Sequence, residues 1–576
     1  MRKGFKARIK YVIPEVHFFL SFLYERIIFL FEPDKDIILS VPKNQIISDN
    51  GERIIGYIIS KMLAAMMIFF LWRLFFFVIE NWRKRTNIRF FTGMFLVCLA
   101  GILLLWPDPF CVSTDNYITY SYGIRFWPEY WHSAYTSCVY AAMLMVVPSP
   151  VFIAVFQWIF VVFVLGYLYN RILDSPVLGG KGKYSVFLIF LMPGVYTLCT
   201  NPYRTELYAL LCMFLVSMTA MDIVDRKKRG GMWLLCNILL CGFIGVWRTE
   251  GIVLGVLLFV VQLIFIFRYK PIKSILCFLC MLAVLVAFMV PQKLGDMKYY
   301  GKDYSFINSF PVLKNILSSS DADLTYDGAE EDLAALEAVV PVEILRYYGM
   351  DGYRRYNYAE GRPDINQSLA DEDTANAYMD AYYRIVLHNL PVYVKTQLFM
   401  LLKSLMIVPR EYVVTCDIPP VHDLSPWKLE AWDIGRQDLE STREFAIWSN
   451  ADIHRQFSSM AMKVLNVIES ALQKIYFYST VLVLIPLFEV FLFFREAIRF
   501  LGKKKNYLGL AGIAFILLGQ AAAICLVMPA GTLVYFHAYY YCSLLLCLIY
   551  ISCLRVKRSE KVPERGCSVE ALDGKS

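Results

Sequence analysis

Long apolar runs separated by short polar stretches recur towards both ends of the chain. Most of these runs approach the ~20 residues that a helix needs to cross a bilayer. At these lengths only a helix satisfies its own backbone hydrogen bonds in lipid. The pattern therefore predicts twelve membrane-spanning helices, at 11–31, 54–79, 90–106, 149–169, 184–200, 205–222, 232–247, 251–268, 274–291, 471–494, 507–528 and 538–554.

The first of these segments, 11–31, is interrupted by four polar residues, which are Glu15, His17, Glu25 and Arg26. An amphipathic helix lying on the membrane surface is the alternative for this segment. Two other apolar segments, 134–147 and 392–409, are expected to lie in or dip into the outer interface. The first is short, and the second contains Lys395 and Lys403.

The basic residues predict how the spans are oriented. With the N-terminus inside, the predicted inner segments carry 30 Lys and Arg residues and the short outer segments carry six. Such a bias is typical of inner loops. It predicts a multi-pass protein of the cell membrane with the N- and C-termini in the cytoplasm.

The composition changes sharply at 292–470, which contains the acidic patch DADLTYDGAEEDL at 321–333. Apolar residues at helical spacing, interrupted by proline and glycine, predict a mainly helical extracytoplasmic insertion. The predicted organisation is an N-terminal membrane domain at 1–291 with its first outer loop at 107–148, the insertion at 292–470, C-terminal spans at 471–554 and a cytoplasmic tail at 555–576.

The chain of 576 residues is 58% hydrophobic and has a net charge of +8. Its cations lie in short clusters between apolar runs, so membrane orientation explains them and no nucleic-acid partner is expected. The 15 cysteines lack the spacing of a disulfide framework or a zinc site. Two Asp-x-Asp pairs, at 321–323 and 371–373, fit solvated acidic loops. No cofactor is required by the sequence, and a divalent metal stays open as an alternative.

An aromatic-Arg-Thr-Glu tetrad occurs twice, at 203–206 and at 247–250, each time at a predicted outer turn. Its charged members are Arg204, Glu206, Arg248 and Glu250. The planar donor fork of arginine suits phosphate oxygens, and a neighbouring carboxylate can orient it. The alternative is a pair of interfacial arginines followed by glutamates at helix N-termini. Two matched tetrads on one face favour anion binding.

Two further outer segments carry candidate groups. The stretch WPDPFCVSTDNYITYSYGIRFWPEYWH at 106–132, which begins the outer loop at 107–148, contains Asp108, Asp115, Glu129 and His132. The last outer turn, at 528–541, contains His537 and Tyr539. Glu129, His537 and Tyr539 are candidate substrate contacts. The alternatives are a solvated acidic loop for the first segment and an interfacial aromatic belt for the second.

An early outer loop with an acidic residue, followed by a histidine and an interfacial helix, resembles GT-C type glycosyltransferases. These polytopic enzymes take sugars from polyprenyl-phosphate carriers and include protein O-mannosyltransferases and aminoarabinose transferases. The resemblance covers roughly 90–300. It implies a GT-C-like fold, Asp115 as the catalytic base with His132 as its partner, and Asp108 as the fallback. It also implies that Arg204 and Arg248 face the lipid-linked phosphate.

The resemblance implies an inverting transfer of a sugar from a polyprenyl-phosphate carrier to an extracytoplasmic hydroxyl. The acceptor would be a saccharide, a lipid or a protein. A transporter or flippase of lipid-linked saccharides, or a polysaccharide polymerase of the same topology, is the competing interpretation. A third is a non-enzymatic envelope scaffold.

Overall fold

The structure is a computed structural model of the chain. It describes residues 2–29, 37–38, 46–47, 50–105, 114–130, 133–178, 180, 182–184, 186–187, 204–299, 303–347, 371–404, 436–442, 506–527 and 533–546, with isolated positions at 456, 459–460, 463–464, 467, 495 and 549.

The described elements are almost entirely helical. The membrane domain contains α1 (Arg2–Ile28), the two-residue strands β1 (Ile37–Ile38) and β2 (Ile46–Ile47), α2 (Asn50–Asn81), α3 (Thr86–Leu105), α4 (Thr114–Ile124), α5 (Ala134–Val146), α6 (Val151–Leu173), α7 (Arg204–Val224), α8 (Gly231–Trp247), α9 (Gly251–Gln262) and α10 (Pro271–Tyr299). The insertion and C-terminal part contain α11 (Asp303–Leu317), α12 (Ala329–Glu337), α13 (Val342–Tyr347), α14 (Glu372–His388), α15 (Leu390–Ser404) and α16 (Asn506–Val527). A π-helical turn, Leu263–Phe267, extends α9, and a 3-10 turn, Leu533–Phe536, leads into helical residues 537–546.

Five helices are long and apolar enough to cross a membrane, which confirms the predicted helical membrane character. They are α2, α6, α7, α10 and α16. Shorter apolar helices lie at Thr86–Ala100, Ala134–Val146, Gly231–Trp247 and Gly251–Phe267. The predicted spans at 184–200 and 471–494 lie almost wholly outside the described residues. The number twelve and the GT-C fold therefore stay predictions.

Helix α16 runs antiparallel to α7. A Cβ at Gly509 would lie 3.1 Å from both Ile223 and Phe265, near the end of α7 and the π-helical turn. Further along α16, Gln520 donates to the hydroxyl of Tyr208, near the start of α7, at 2.9 Å. The beginning of α7 and the end of α16 therefore lie at the same end of the bundle, where the sequence places two outer turns.

Helices α8 and α9 form a tight hairpin that needs two glycines. A Cβ at Gly255 would lie only 2.6 Å from the carbonyl oxygen of Cys241, and a Cβ at Gly251 would overlap the carbonyl of Ile244. Small residues four positions apart let two helices approach closely inside a membrane. This hairpin fixes the position of the turn at 248–250 between the two helices.

Helix α1 runs antiparallel along most of α2. Near one end Lys10 pairs with Glu80, and near the other Lys61 pairs with Glu25 at 2.5 Å. All thirteen residues of α5 are buried, and its last carbonyl, on Val146, lies 2.8 Å from Nε2 of His17. Helix α5 is therefore packed inside the bundle, against α1 and α2, over its whole length.

Helices α11 to α14 of the insertion pack on a core that also includes Trp127 and Leu285 of the membrane domain. Within it, Asp332 is buried and accepts hydrogen bonds from Arg384 and from Tyr326. Helix α15 joins this core to the bundle, because the hydroxyl of Tyr393 donates to the carbonyl of Leu526 at 2.5 Å. The insertion thus meets the membrane domain at the C-terminal end of α16.

Candidate functional site

The two tetrads lie side by side. The indole Nε1 of Trp247 donates to the carbonyl oxygen of Arg204 at 3.0 Å. In the same direction, Nη1 of Arg248 donates to Oγ1 of Thr205 at 2.9 Å. Two contacts from the second tetrad to the first make this repeat a structural pair, although the tetrads are more than forty residues apart in sequence.

The second tetrad changes backbone direction at its arginine. Helix α8 ends at Trp247, and Arg248 adopts extended angles, φ −146° and ψ 144°. Helix α9 then starts at Gly251, with Glu250 immediately before it. The break at Arg248 turns its side chain away from the α8 axis and towards the start of α7.

Glu206, in the first turn of α7, lies at the centre of the site and is fully buried. One carboxylate oxygen lies 2.5 Å from Nδ1 of His537, and the other accepts from the hydroxyl of Tyr541 at 3.0 Å. His537 and Tyr541 are also buried, at 2% and 1% exposure. A buried carboxylate needs such partners because desolvation without hydrogen bonds is costly. Glu206 therefore joins helical residues 537–546 to the first tetrad.

Arg248 is surrounded by aromatic rings and one carboxylate. Its Nε pairs with Glu250. Its guanidinium carbon lies 5.8 Å from the ring centre of Tyr208 and 5.7 Å from that of Tyr535. Rings at this distance attract a cation. The combination holds the guanidinium in one orientation at the junction, where the two tetrads and residues 537–546 meet.

Two nitrogen atoms at this junction keep unused hydrogen-bonding capacity. Nε2 of His537 and Nε of Arg204 are buried and have no hydrogen-bond partner. Buried polar atoms are almost always paired, so unpaired ones in a cluster call for an explanation. An anion with several acceptor oxygens is one group that both atoms could serve.

The first outer loop lies beside this junction. Tyr135, at the start of α5, contacts the ring of Phe243 at 6.0 Å, and Phe243 contacts the ring of Trp247 at 5.3 Å. Asp115 lies in the first turn of α4, where the helix dipole favours a negative charge. The side chain of Asp115, and the whole of Asp108 and His132, lie outside the described residues.

Other charged groups of that loop have structural contacts. Glu129 is buried and accepts from Oγ1 of Thr119 at 2.7 Å. Arg125 forms a two-pronged ion pair with Asp438 of the insertion, at 2.5 and 2.9 Å, and Ser121 donates to the same carboxylate at 2.8 Å. The short described segment 436–442 is therefore fastened onto α4.

The structure adds residues that the sequence did not single out. Tyr541 reaches Glu206, because it is one helical turn from His537 and lies on the same face. Tyr539 packs its ring against Phe536 at 6.4 Å. The spacing of His537 and Tyr541, four residues apart in helical residues 537–546, is the signal that identifies the pair.

Across the part of the chain that the structure describes, three or more His, Cys, Asp or Glu side chains never group in a way that could hold a metal ion. The described site consists of two arginines, two glutamates, a histidine and several tyrosine hydroxyls. This donor set can bind an anion and stabilise added negative charge on it.

Comparisons with known proteins found no matching family model, no matching curated protein and no matching solved structure.

Proposed function

We propose that this chain is a membrane glycosyltransferase that moves a sugar from a polyprenyl-phosphate carrier to an extracytoplasmic hydroxyl. The observation that carries the proposal is that both tetrads and helical residues 537–546 meet at the start of α7. At this place Trp247 contacts the backbone of Arg204, Arg248 contacts Thr205, and His537 contacts Glu206. The resemblance to GT-C type enzymes supplies the reaction class.

In this proposal the lipid phosphate binds next to Arg204 and Arg248. Of these, Arg248 is already oriented by Glu250 and Thr205. Glu206 acts as a positioning residue, since its two oxygens hold His537 and Tyr541. Cations fixed before the reaction stabilise charge on the leaving phosphate without reorganising in the transition state.

The proposed reaction inverts the anomeric carbon. Asp115 takes the proton of the acceptor hydroxyl while the acceptor oxygen attacks that carbon. The bond from the anomeric carbon to the phosphate oxygen breaks, and its electron pair stays on the oxygen. The phosphate thereby changes from a diester with one negative charge to a monoester with two, and the arginines offset the added charge.

The proposed topology has both termini in the cytoplasm and 292–470 outside, in a cell membrane. The contacts support it, because the turns assigned to the outer face by the lysine and arginine pattern lie at one end of the bundle. Trp247 and Arg248 contact the first tetrad there, and His537 contacts Glu206. A labelling experiment with a membrane-impermeant reagent on single cysteines at Asp380 and at Lys84 would test it.

The test of function uses purified protein in nanodiscs with a polyprenyl-phosphate sugar as donor. Release of polyprenyl phosphate supports transfer, and no release with any tested sugar contradicts it. Asp115→Asn is expected to lower release by more than about 100-fold, because general-base catalysis contributes 10²–10⁴-fold. Asp380→Asn, on an exposed face of α14, is the matched control and should leave release unchanged. Equal release by Asp115→Asn and wild type would remove Asp115 as the base.

A flippase or polymerase of lipid-linked saccharides is the second candidate. One observation favours a transporter: Lys61 and Glu25 form a largely buried ion pair between α1 and α2. Ionisable pairs inside a membrane domain mark substrate or proton pathways in transporters. Movement of the lipid-linked sugar across the bilayer without release of polyprenyl phosphate would favour this candidate over the transferase.

A further inference from the structure

In the cluster around Glu206, the imidazole of His537 has a fixed orientation, but its Nε2 makes no hydrogen bond. His537 is buried, with 2% exposure, and its Nδ1 lies 2.5 Å from a carboxylate oxygen of Glu206. A carboxylate can only accept, so Nδ1 carries the hydrogen of this bond. Nε2, on the opposite side of the ring, has no partner.

A second fixed contact limits how the ring can turn. Tyr541 lies almost parallel to the imidazole, with ring centres 6.0 Å apart and planes at 20°. Its hydroxyl donates to the same carboxylate that holds Nδ1. The imidazole is thus held from two directions, and Nε2 points away from Glu206 by the geometry of the ring.

The first turn of α7 provides a second, independent indication that an anion binds here. Arg204 is the first residue of α7, where free backbone N–H groups and the helix dipole favour negative charge. Its Nε is buried without a partner, and within the described residues its side chain makes no ion pair. Arg204, at the start of α7, and His537, which contacts Glu206 in the first turn of α7, therefore each have a buried nitrogen without a partner.

We propose that His537 is a charge-assisted hydrogen-bond donor to the phosphate of a lipid phosphate ester, through Nε2–H. The proposal rests on the proposed function and names the group that meets the leaving phosphate from the third outer turn. When the ring is protonated, Nε2 carries a hydrogen, and the Glu206 carboxylate compensates the charge of the imidazolium. Donors fixed at a developing oxyanion each contribute about 10²–10³-fold to the rate.

Two substitutions separate this role from a purely structural one. In His537→Asn, the amide nitrogen takes the place of Nδ1, so the contact with Glu206 is kept and the Nε2 donor is lost. In His537→Gln, the amide nitrogen takes the place of Nε2, so the donor is kept and the contact with Glu206 is weakened. If the role of His537 is structural, His537→Asn should bind the lipid phosphate more tightly than His537→Gln. If His537 binds the phosphate, His537→Gln should bind more tightly than His537→Asn.

The experiment measures affinity for decaprenyl phosphate in nanodiscs, with decaprenol as the uncharged comparison. His537→Asn should weaken affinity about 10-fold or more, since a hydrogen bond to a charged group contributes ~1.5–3 kcal/mol. His537→Gln should stay within about threefold of wild type. Unfolding temperatures of both variants verify that they are folded. His388→Asn and His388→Gln, at an exposed histidine of α14, should change nothing.

Inorganic phosphate and phosphatidic acid vesicles identify the source of the phosphate. Competition by phosphatidic acid but not by inorganic phosphate supports a lipid headgroup, whereas competition by inorganic phosphate alone overturns the lipid part of the proposal. The proposed role of His537 is overturned if folded His537→Asn binds decaprenyl phosphate as tightly as wild type. It is also overturned if folded His537→Gln binds as weakly as His537→Asn. If binding follows the expected order but no sugar donor is cleaved, the phosphate site stands and the transferase proposal fails.

Discussion

The helix bundle has a buried charged cluster at each end, and the two clusters are built differently. At the end opposite the tetrads, Asp222 accepts from Arg171 at 3.0 Å and from Arg229 at 2.6 and 2.8 Å. Arg171 also reaches Asp225 at 2.9 Å, and Asp225 accepts from Ser175. Two carboxylates there face two guanidinium groups, so the cluster is neutral and joins the ends of α6 and α7 to the turn before α8.

The cluster at the tetrad end also contains two arginines and two carboxylates, but they are paired differently. Arg248 has its carboxylate, Glu250. The carboxylate of Glu206, two residues after Arg204, instead makes its hydrogen bonds with His537 and Tyr541. Arg204 is therefore a cation without a carboxylate partner among the described residues, and Arg171 lacks a partner only at Nε. A cluster in which every arginine has a carboxylate partner joins helices, whereas a cluster that leaves one arginine without a carboxylate can accept an anionic ligand.

Removing a carboxylate from the neutral cluster should have the largest effect, and it should be on stability. Asp222→Ala leaves Arg171 and Arg229, which are 14% and 17% exposed, facing one remaining carboxylate, Asp225. Breaking a buried ion pair in this way costs about 3–5 kcal/mol. Thermal unfolding in detergent measures the loss, with exposed Asp380→Ala as control. Specific activity per folded molecule should be unchanged. A variant as stable as wild type would show that this cluster is not a structural lock.

At the tetrad end, the arginine without a carboxylate partner should give the opposite result. Arg204→Gln removes the cation but leaves its backbone carbonyl free to accept from Trp247. Loss of a charge-assisted bond of ~1.5–3 kcal/mol lowers affinity for decaprenyl phosphate roughly 10- to 100-fold. The unfolding temperature should not fall, because no described ion pair is broken. Arg89→Gln, exposed on α3, is the control. Unchanged affinity with lowered stability would make Arg204 an ordinary structural residue.

The matched tetrads permit a test of the comparison within one sequence motif. Thr205 is buried and accepts from Arg248, whereas Thr249 is exposed and makes only a 3.4 Å contact with its neighbour Glu250. Thr205→Val should therefore weaken lipid-phosphate binding about 5- to 10-fold, since a typical hydrogen bond contributes ~1 kcal/mol. Thr249→Val should have no measurable effect. Equal effects of the two variants would mean that the tetrads are equivalent and that the repeat alone, not the junction, matters.

The sequence predicted the helices well where apolar runs are long and uninterrupted. Helices α2, α7 and α16 begin and end within a few residues of the predicted spans at 54–79, 205–222 and 507–528. Predicting the two tetrads as a pair was also within reach, because an identical charged motif at two outer turns is visible without coordinates. Orientation by the lysine and arginine bias placed those turns on one face before any contact was known.

The contacts inside the site could not be read from the sequence. Glu206 and Glu250 occupy the same position in the two tetrads, yet one holds His537 and the other holds Arg248. That choice depends on α16 bringing the last outer turn next to α7, a contact between residues more than three hundred positions apart. Hydrophobic periodicity fixes which face of a helix is buried, but not which neighbour covers it.

The insertion offers the smallest test, because its ion pair is buried on one side only. Arg384 is 55% exposed and donates to Asp332, which is 1% exposed. Burial alone would raise the pKa of the Asp332 carboxyl, but hydrogen bonds from Arg384 and Tyr326 outweigh the effect of burial and lower the pKa.

A carboxyl with a lowered pKa stabilises the fold above its unfolded pKa, near ~3.9. That contribution is lost as the pH falls through the folded value. Arg384→Met should therefore lower the stability of α12 and α14 at neutral pH and lower it less in acid. Hydrogen exchange of the α12 and α14 amides, compared between pH 7 and the acid range, measures both effects. An equal loss at both pH values would show that packing of the arginine stem, and not its pairing with Asp332, joins the two helices.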